Sequence, residues 1–305
     1  MRLAVAPVLA GILAACTVVP ASEEQAQTAN VPVVQPLPAP PEPAAEPEPE
    51  PSPGTFLYSG ELTQGGWIRG EAPAGTQNAT LDDVPLVLDG EGRFFAAFDR
   101  DAGDTATLRA VLPGGEAVES ILTIAPRAWD IERVNVARSP GGASAAFMER
   151  RRPELERIGA ARAVNATSDG WRQDFIWPAT GRISGRFGSQ RIYRGEPGAY
   201  HSGIDIATGG SGAPFVAPAD GVVVLASETP FSLEGYLIII DHGMGLNSAF
   251  LHCSSIAVRE GDRVRQGQHI GNIGATGRAT GPHLHWGLMW RGKRLDPLLF
   301  TGPMG

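Results

Sequence analysis

The chain has 305 residues, a formal net charge of −8 and 42% hydrophobic residues. The acidic balance and the lack of any basic stripe exclude a nucleic-acid-binding protein. The length suits two modest domains, and two cysteines in so long a chain exclude a disulfide framework.

In chain order, residues 1–15 begin with one positive charge, Arg2, followed by an apolar run from Leu3 to Ala15. That run has the size of a signal-peptide core and is too short to span a bilayer. It ends in Leu13-Ala14-Ala15-Cys16, which resembles a bacterial lipobox. The resemblance implies cleavage before Cys16, acylation of its thiol and amine, and stable anchoring by more than one acyl chain. A plain secretory signal with an incidental Cys16 is the alternative. Thr17, where an aspartate would signal retention, resembles the outer-membrane sorting pattern of diderm bacteria, so the expected location is the periplasmic face of that membrane. With Cys16 acylated, Cys253 has no disulfide partner.

Residues 16–54 form the lipid anchor and a Pro/Glu-rich tether, "VPVVQPLPAPPEPAAEPEPEPSPG". Proline fixes φ and the glutamates repel, so the tract stays extended and reaches on the order of 70 Å. Residues 55–126 alternate in short runs separated by turns, which predicts a small β-sandwich-like domain. Asp89-Gly90 is a hairpin signal and Pro113-Gly114-Gly115 a second turn. Asp99, Asp101 and Asp104 lack a full calcium-loop spacing and read as a solvated turn. The connector, residues 127–168, contains a helical stretch over 143–166, which Pro153 either kinks or divides. Its Arg150-Arg151-Arg152 run reads as a solvated face. Residues 169–305 return to β-branched segments broken by glycine, the texture of an antiparallel β domain.

All six histidines fall in this last region, at 201, 242, 252, 269, 283 and 285. Pro282 and the run "HWGLMW" make "ATGPHLHWGL" a strand, so His283 and His285 face one side together. His201 and Asp205 in "YHSGIDIA" also share a face on extended chain. Imidazole and carboxylate both suit zinc. His285 offers a third ligand, and three protein ligands with an open fourth position describe a catalytic zinc site. His283 and His252 then supply imidazoles for proton transfer and oxyanion stabilisation. His242 in "DHG" and His269 in "GQHI" sit in turn-like contexts and read as structural; Cys253 reads as a small buried apolar residue.

The ordered set His201-Ser-Gly-Ile-Asp205, "PFVAPADGVVV", "DHGMGLNSAFLH", "VREGDRVRQGQHIGNIGATGRATG" and His283-Leu284-His285 resembles the lysostaphin- or LytM-type zinc metallopeptidases over roughly residues 180–300. The resemblance implies an all-β catalytic domain, an antiparallel β-sheet groove with one Zn2+ on its floor, at the end of a chain whose upstream β domain and helix match exported relatives. It assigns His201, Asp205 and His285 as ligands and His252 and His283 as the catalytic pair. It implies peptidoglycan stem peptides as substrate and hydrolysis of their cross-links. Some relatives use a tyrosine shortly before the first ligand; Tyr193 and Tyr200 are the candidates here. The competing reading is a non-catalytic lipoprotein of the same fold that binds a murein amidase or division-complex partner. Forms of that kind lack one or more of the five residues, and this chain keeps all five. The glycine-rich hairpin "REGDRVRQGQHIGNIG" also looks like a biotin or lipoyl carrier, but the only lysine, Lys293, lies outside it.

Overall fold

The computed structural model describes residues 54–137 and 144–304. The signal peptide, Cys16 and the tether lie outside the described residues. Seven strands precede the connector: β1 (Leu57–Gly60), β2 (Trp67–Glu71), β3 (Asn78–Leu81), β4 (Val84–Pro85), β5 (Arg93–Ala97), β6 (Thr105–Val111) and β7 (Ala117–Thr123). They form two antiparallel sheets, ordered β1-β2-β5 and β4-β3-β6-β7. The alternation of β6, with Ala106, Leu108 and Ala110 buried and their neighbours outward, places one face of the four-stranded sheet on the core. The Pro113-Gly114-Gly115 turn closes the β6–β7 hairpin, with both glycines at positive φ. Asp89-Gly90 does turn the chain, its carboxylate accepting the N–H groups of Glu91 and Arg93. It joins β4 to β5, which lie in different sheets, so the expected hairpin is instead a sheet-to-sheet corner.

In the connector, β8 (Ile131–Val134) is followed by one helix, α1 (Ala145–Ala163), capped by the Ser144 hydroxyl, which accepts the Phe147 N–H. Pro153 neither ends nor divides it. Ile158 and Ala161 pack α1 onto Leu225, Leu237, Ile239 and Ala249.

Thirteen further strands follow: β9 (Arg182–Gly185), β10 (Gln190–Tyr193), β11 (Glu196–Pro197), β12 (Ile204–Ala207), β13 (Pro214–Val216), β14 (Gly221–Ala226), β15 (Tyr236–Asp241), β16 (Leu246–Cys253), β17 (Ser255–Ile256), β18 (Arg263–Val264), β19 (His269–Asn272), β20 (Leu284–Trp290) and β21 (Lys293–Leu295). Eight of them make one antiparallel sheet in the order β18-β14-β15-β16-β20-β12-β9, with β21 added beside β20. β13-β19-β17 form a second sheet, and β11-β10-β8 a third in which β8 and β10 run parallel. Among the described residues the fold is thus all-β apart from α1 and two short 3-10 turns, as the texture of the sequence predicts.

One face of the large sheet carries Ile204, Ile206, Phe250, Trp286 and Trp290, all fully buried. Its core continues into the first two sheets: Phe95 lies edge-on to Trp290, and Trp67 packs on Phe300. Arg127 clamps the buried Asp296 at 2.8 Å, and the Asp99 carboxylate accepts the Arg294 N–H. Asp101 pairs with Arg100, so the acidic turn is an anchored corner and only partly a solvated one. Among the described residues no helix is long and apolar enough to cross a membrane.

Candidate metal centre

The other face of the large sheet holds the histidines. β12 and β20 pair antiparallel with Asp205 opposite His285, and β16 places Leu251 opposite His285 from the other side. Because side chains alternate, Leu284 and Trp286 point to the core while His285 points to the groove. Two glycines let the rings close in. A Cβ on Gly185 would lie 2.4 Å from Asp205 Oδ2, and one on Gly203 would lie 2.4 Å from the Trp286 carbonyl and 2.9 Å from His285 Nε2.

His201 donates from Nδ1 to the Arg186 carbonyl at 3.1 Å, which leaves the lone pair on Nε2. That nitrogen lies 3.1 Å from both Asp205 Oδ1 and His285 Nδ1, and the last two are 2.9 Å apart. Three electron-pair donors thus meet at one point. Burial works against charge on His201, but the Asp205 carboxylate overrides it and holds this imidazole above its ordinary value. Burial also works against the Asp205 charge, yet hydrogen bonds from His201 and His285 hold the carboxyl well below the usual range. His285 is held low by burial, with the two neighbouring imidazoles opposing its protonation. A proton on one ring is therefore all that the chain itself offers to relieve the convergence. A divalent cation suits it better: ligand atoms about 3 Å apart approximate the ~3.3 Å edge of a tetrahedron with zinc-like bonds. Among the described residues these three are the group of His, Cys, Asp or Glu side chains spaced to hold a metal.

His252 reaches the same groove by an irregularity. Between the pairs Tyr236↔Cys253 and Ile238↔Phe250 the register shifts, so Leu251 and His252 both face Leu237. His252 takes φ +65° there and swings off the core face that regular alternation would give it. Its N–H donates to the Glu234 carbonyl at 2.8 Å, and its Nδ1 donates to the Thr276 carbonyl at 2.8 Å. His283, just before β20, donates from Nδ1 to the Gly281 carbonyl at 2.8 Å. Both rings therefore keep Nε2 free, with centroids 4.9 Å apart and His283 Nε2 3.6 Å from Asp205 Oδ1. Burial, reinforced by His283 and His285, keeps His252 below its ordinary pKa, so it is neutral near pH 7.

The groove, a cavity of about 610 Å³, contains all five of these residues, and Tyr200 in its wall. Tyr193 lines the adjoining depression with His201 and Arg278 instead. Three further groove residues, Glu234, Arg278 and Arg294, carry no local signal in the sequence. Arg151 departs from its expected solvated face. It is buried and forks onto Glu234 at 2.5 and 2.6 Å while also binding Glu154. The pairing fixes the loop whose Glu234 carbonyl holds His252. His242 is fully buried and away from the groove; Nδ1 donates to the Asp220 carbonyl, and Nε2 accepts from Ser248. Burial brings it down to about 4. His269 contacts Asn272 at the surface. Cys253 is buried, its thiol pushed up by burial to about 12, and so inert.

Residues 199–297, the span that carries His201, Asp205, His252, His283 and His285, match the family model "Peptidase family M23". The chain carries a peptidase M23 domain. The resemblance drawn from the motifs holds for this domain. Peptidoglycan DD-endopeptidase ShyA of Vibrio cholerae is 39% identical over 124 residues, 40% of this chain and 28% of that protein. Murein hydrolase activator NlpD of Escherichia coli is 38% identical over 132 residues, 43% of this chain and 31% of that protein. The chain thus spans about a third or less of the length of these two relatives. A solved structure of a candidate M23 peptidase from Pseudomonas aeruginosa superposes with a TM-score of 0.61 at 25% identity, over 79% of this chain and 96% of that one. Likeness over most of both chains extends the shared fold beyond the M23 domain to the upstream sheets.

Proposed function

We propose that the chain is a zinc metalloendopeptidase that hydrolyses peptide cross-links of peptidoglycan. The observation that supports this reading most is the convergence of His201 Nε2, Asp205 Oδ1 and His285 Nδ1 beside two imidazoles with free Nε2 atoms. These three residues would hold the ion, which when bound polarises a substrate carbonyl and acidifies water. The chain's own groups do the rest. His252, neutral by burial, would take a proton at Nε2. The Thr276 and Gly281 carbonyls hold the Nδ1 protons of both rings, so His283 would donate from Nε2 to developing negative charge only once that nitrogen has itself been protonated. Tyr200, in the groove wall, is the candidate for a further hydrogen bond to substrate, and Tyr193 for a contact one step outward.

Likeness to a protein named peptidoglycan DD-endopeptidase supports the substrate class. The lipobox-like Cys16 and the tether support an exported lipoprotein anchored in the outer membrane, reaching periplasmic peptidoglycan. A second reading has its own support, since murein hydrolase activator NlpD is similar at nearly the same identity: the domain would then bind and switch on a murein amidase. One experiment separates them. The full chain, zinc-loaded, is incubated with purified sacculi with and without a chelator, and released muropeptides are identified by mass. The enzyme reading predicts chelator-sensitive conversion of cross-linked dimers to monomers. No cleavage, with stimulation of an added amidase, would establish the second reading.

A further inference from the structure

Beneath α1 lies a small cavity of about 180 Å³, lined on the helix side by Arg162 and on the sheet side by Asn247 and Gly287. It adjoins the histidine groove: Ser202, Glu234, His285 and Arg294 line both. Its charge is unbalanced. Arg151 is already engaged by Glu154 and Glu234, and neither Arg162 nor Arg294 forms an ion pair among the described residues. Arg162 Nε is buried with no hydrogen-bond partner, and so is Asn247 Oδ1, on a residue only 5% exposed. Burial, with Arg294 adding repulsion that the attraction of Glu234 only partly opposes, lowers the Arg162 guanidinium to about 10. A half-buried cation facing a second cation is costly unless an anion offsets it, and the buried Asn247 amide oxygen is the neighbouring polar group still without a partner.

The structure assigns this cavity as a carboxylate-binding subsite of the groove, and we propose that its occupant is the free C-terminal carboxylate of a bound peptide. Two guanidinium groups match a carboxylate in fork geometry, and the Asn247 amide can turn its nitrogen toward the same anion. The volume is below the roughly 300 Å³ of a typical small-molecule site, so it admits a terminal group and excludes a sugar. Because His285 lines both cavities, that carboxylate would lie near the bond to be cut. The cavity would therefore favour peptides with a free end close to the scissile bond. The identity of the occupant rests on the peptidase reading; the affinity for a carboxylate does not.

Titration calorimetry of the full chain with acetyl-D-alanyl-D-alanine and with its C-terminal amide tests the assignment. The acid should bind about ten-fold tighter than the amide. Arg162→Gln and Arg294→Gln, each checked for an unchanged melting transition, should cut that preference to about two-fold or less. Equal affinity for acid and amide, no binding of the acid, or a preference that survives in either folded variant would overturn the assignment. Arg294 lies on the sheet side of the cavity and also lines the groove, outside α1 itself, so its variant remains informative if Arg162→Gln fails to fold. An acid preference without sacculus cleavage would keep the subsite and remove the peptidase reading. Chelator-sensitive cleavage without the preference would do the reverse.

Discussion

The two faces of the large sheet are made by the same strands under opposite physical demands. Along β20, Leu284, Trp286, Leu288 and Trp290 enter the core, where burial alone satisfies them. On the reverse, His285, with Asp205 beside it on β12, forms a cluster whose lone pairs converge without satisfying one another. One face is stabilised by what it excludes, and the other is built for what it can bind. Even the buried histidines divide this way: His242 has both nitrogens satisfied and a lowered pKa, whereas His201 and His285 point donor atoms at each other.

The largest loss of stability is expected on the core face. Trp286→Ala, which empties the centre of that face, should cost about 3–5 kcal/mol in urea unfolding. His285→Ala, its sequence neighbour, should cost far less stability, and a loss similar to that of Trp286→Ala would mean that the groove face also carries the fold. Arg151→Met should cost about 3 kcal/mol by leaving Glu234 and Glu154 without their cation. It should also reduce kcat with little change in KM, because Glu234 holds His252; unchanged kcat would detach α1 from the groove.

A pH effect of similar size belongs to His242. The unfolded imidazole titrates near 6.5 and the folded one near 4, so the unfolded chain binds the extra proton between those values. Its contribution is present in full above pH 6.5, and about 3 kcal/mol is lost as pH falls toward 4. Urea melts at pH 7 and 4.5 should show the loss, and His242→Gln should flatten the slope; an unchanged slope would refute the assignment. The smallest effect is expected of Gly185→Ala, whose new methyl presses on Asp205 Oδ2. Zinc affinity should fall about 10- to 100-fold by competition with a chromophoric chelator, with the fold intact.

Strand periodicity made much of the site legible. His283 and His285 share a face because they are two residues apart on extended chain. His201 and Asp205 do meet, but His201 precedes β12, so the loop through Gly203 and not strand alternation brings its ring to Asp205. His252 was reachable by motif but not by periodicity, because a bulge at positive φ turns it off the core face. Arg151 departs from the solvated face its run suggests because its partner Glu234 lies 83 residues away and nothing local marks the pairing. Asp89-Gly90 makes the turn its residues signal but not a hairpin, since β4 and β5 lie in different sheets. Turn chemistry fixes the local bend, while long-range packing decides which sheet the next strand joins.

In the proposed mechanism one of two neighbouring histidines, His285, holds the metal and the other, His283, moves protons. Zinc content and sacculus digestion of His285→Ala and His283→Ala, each measured on the same preparation, test it most directly. His285→Ala should lose both zinc and cleavage, whereas His283→Ala should lose cleavage and keep close to one zinc per chain. Equal loss of zinc from both variants would contradict the division of roles.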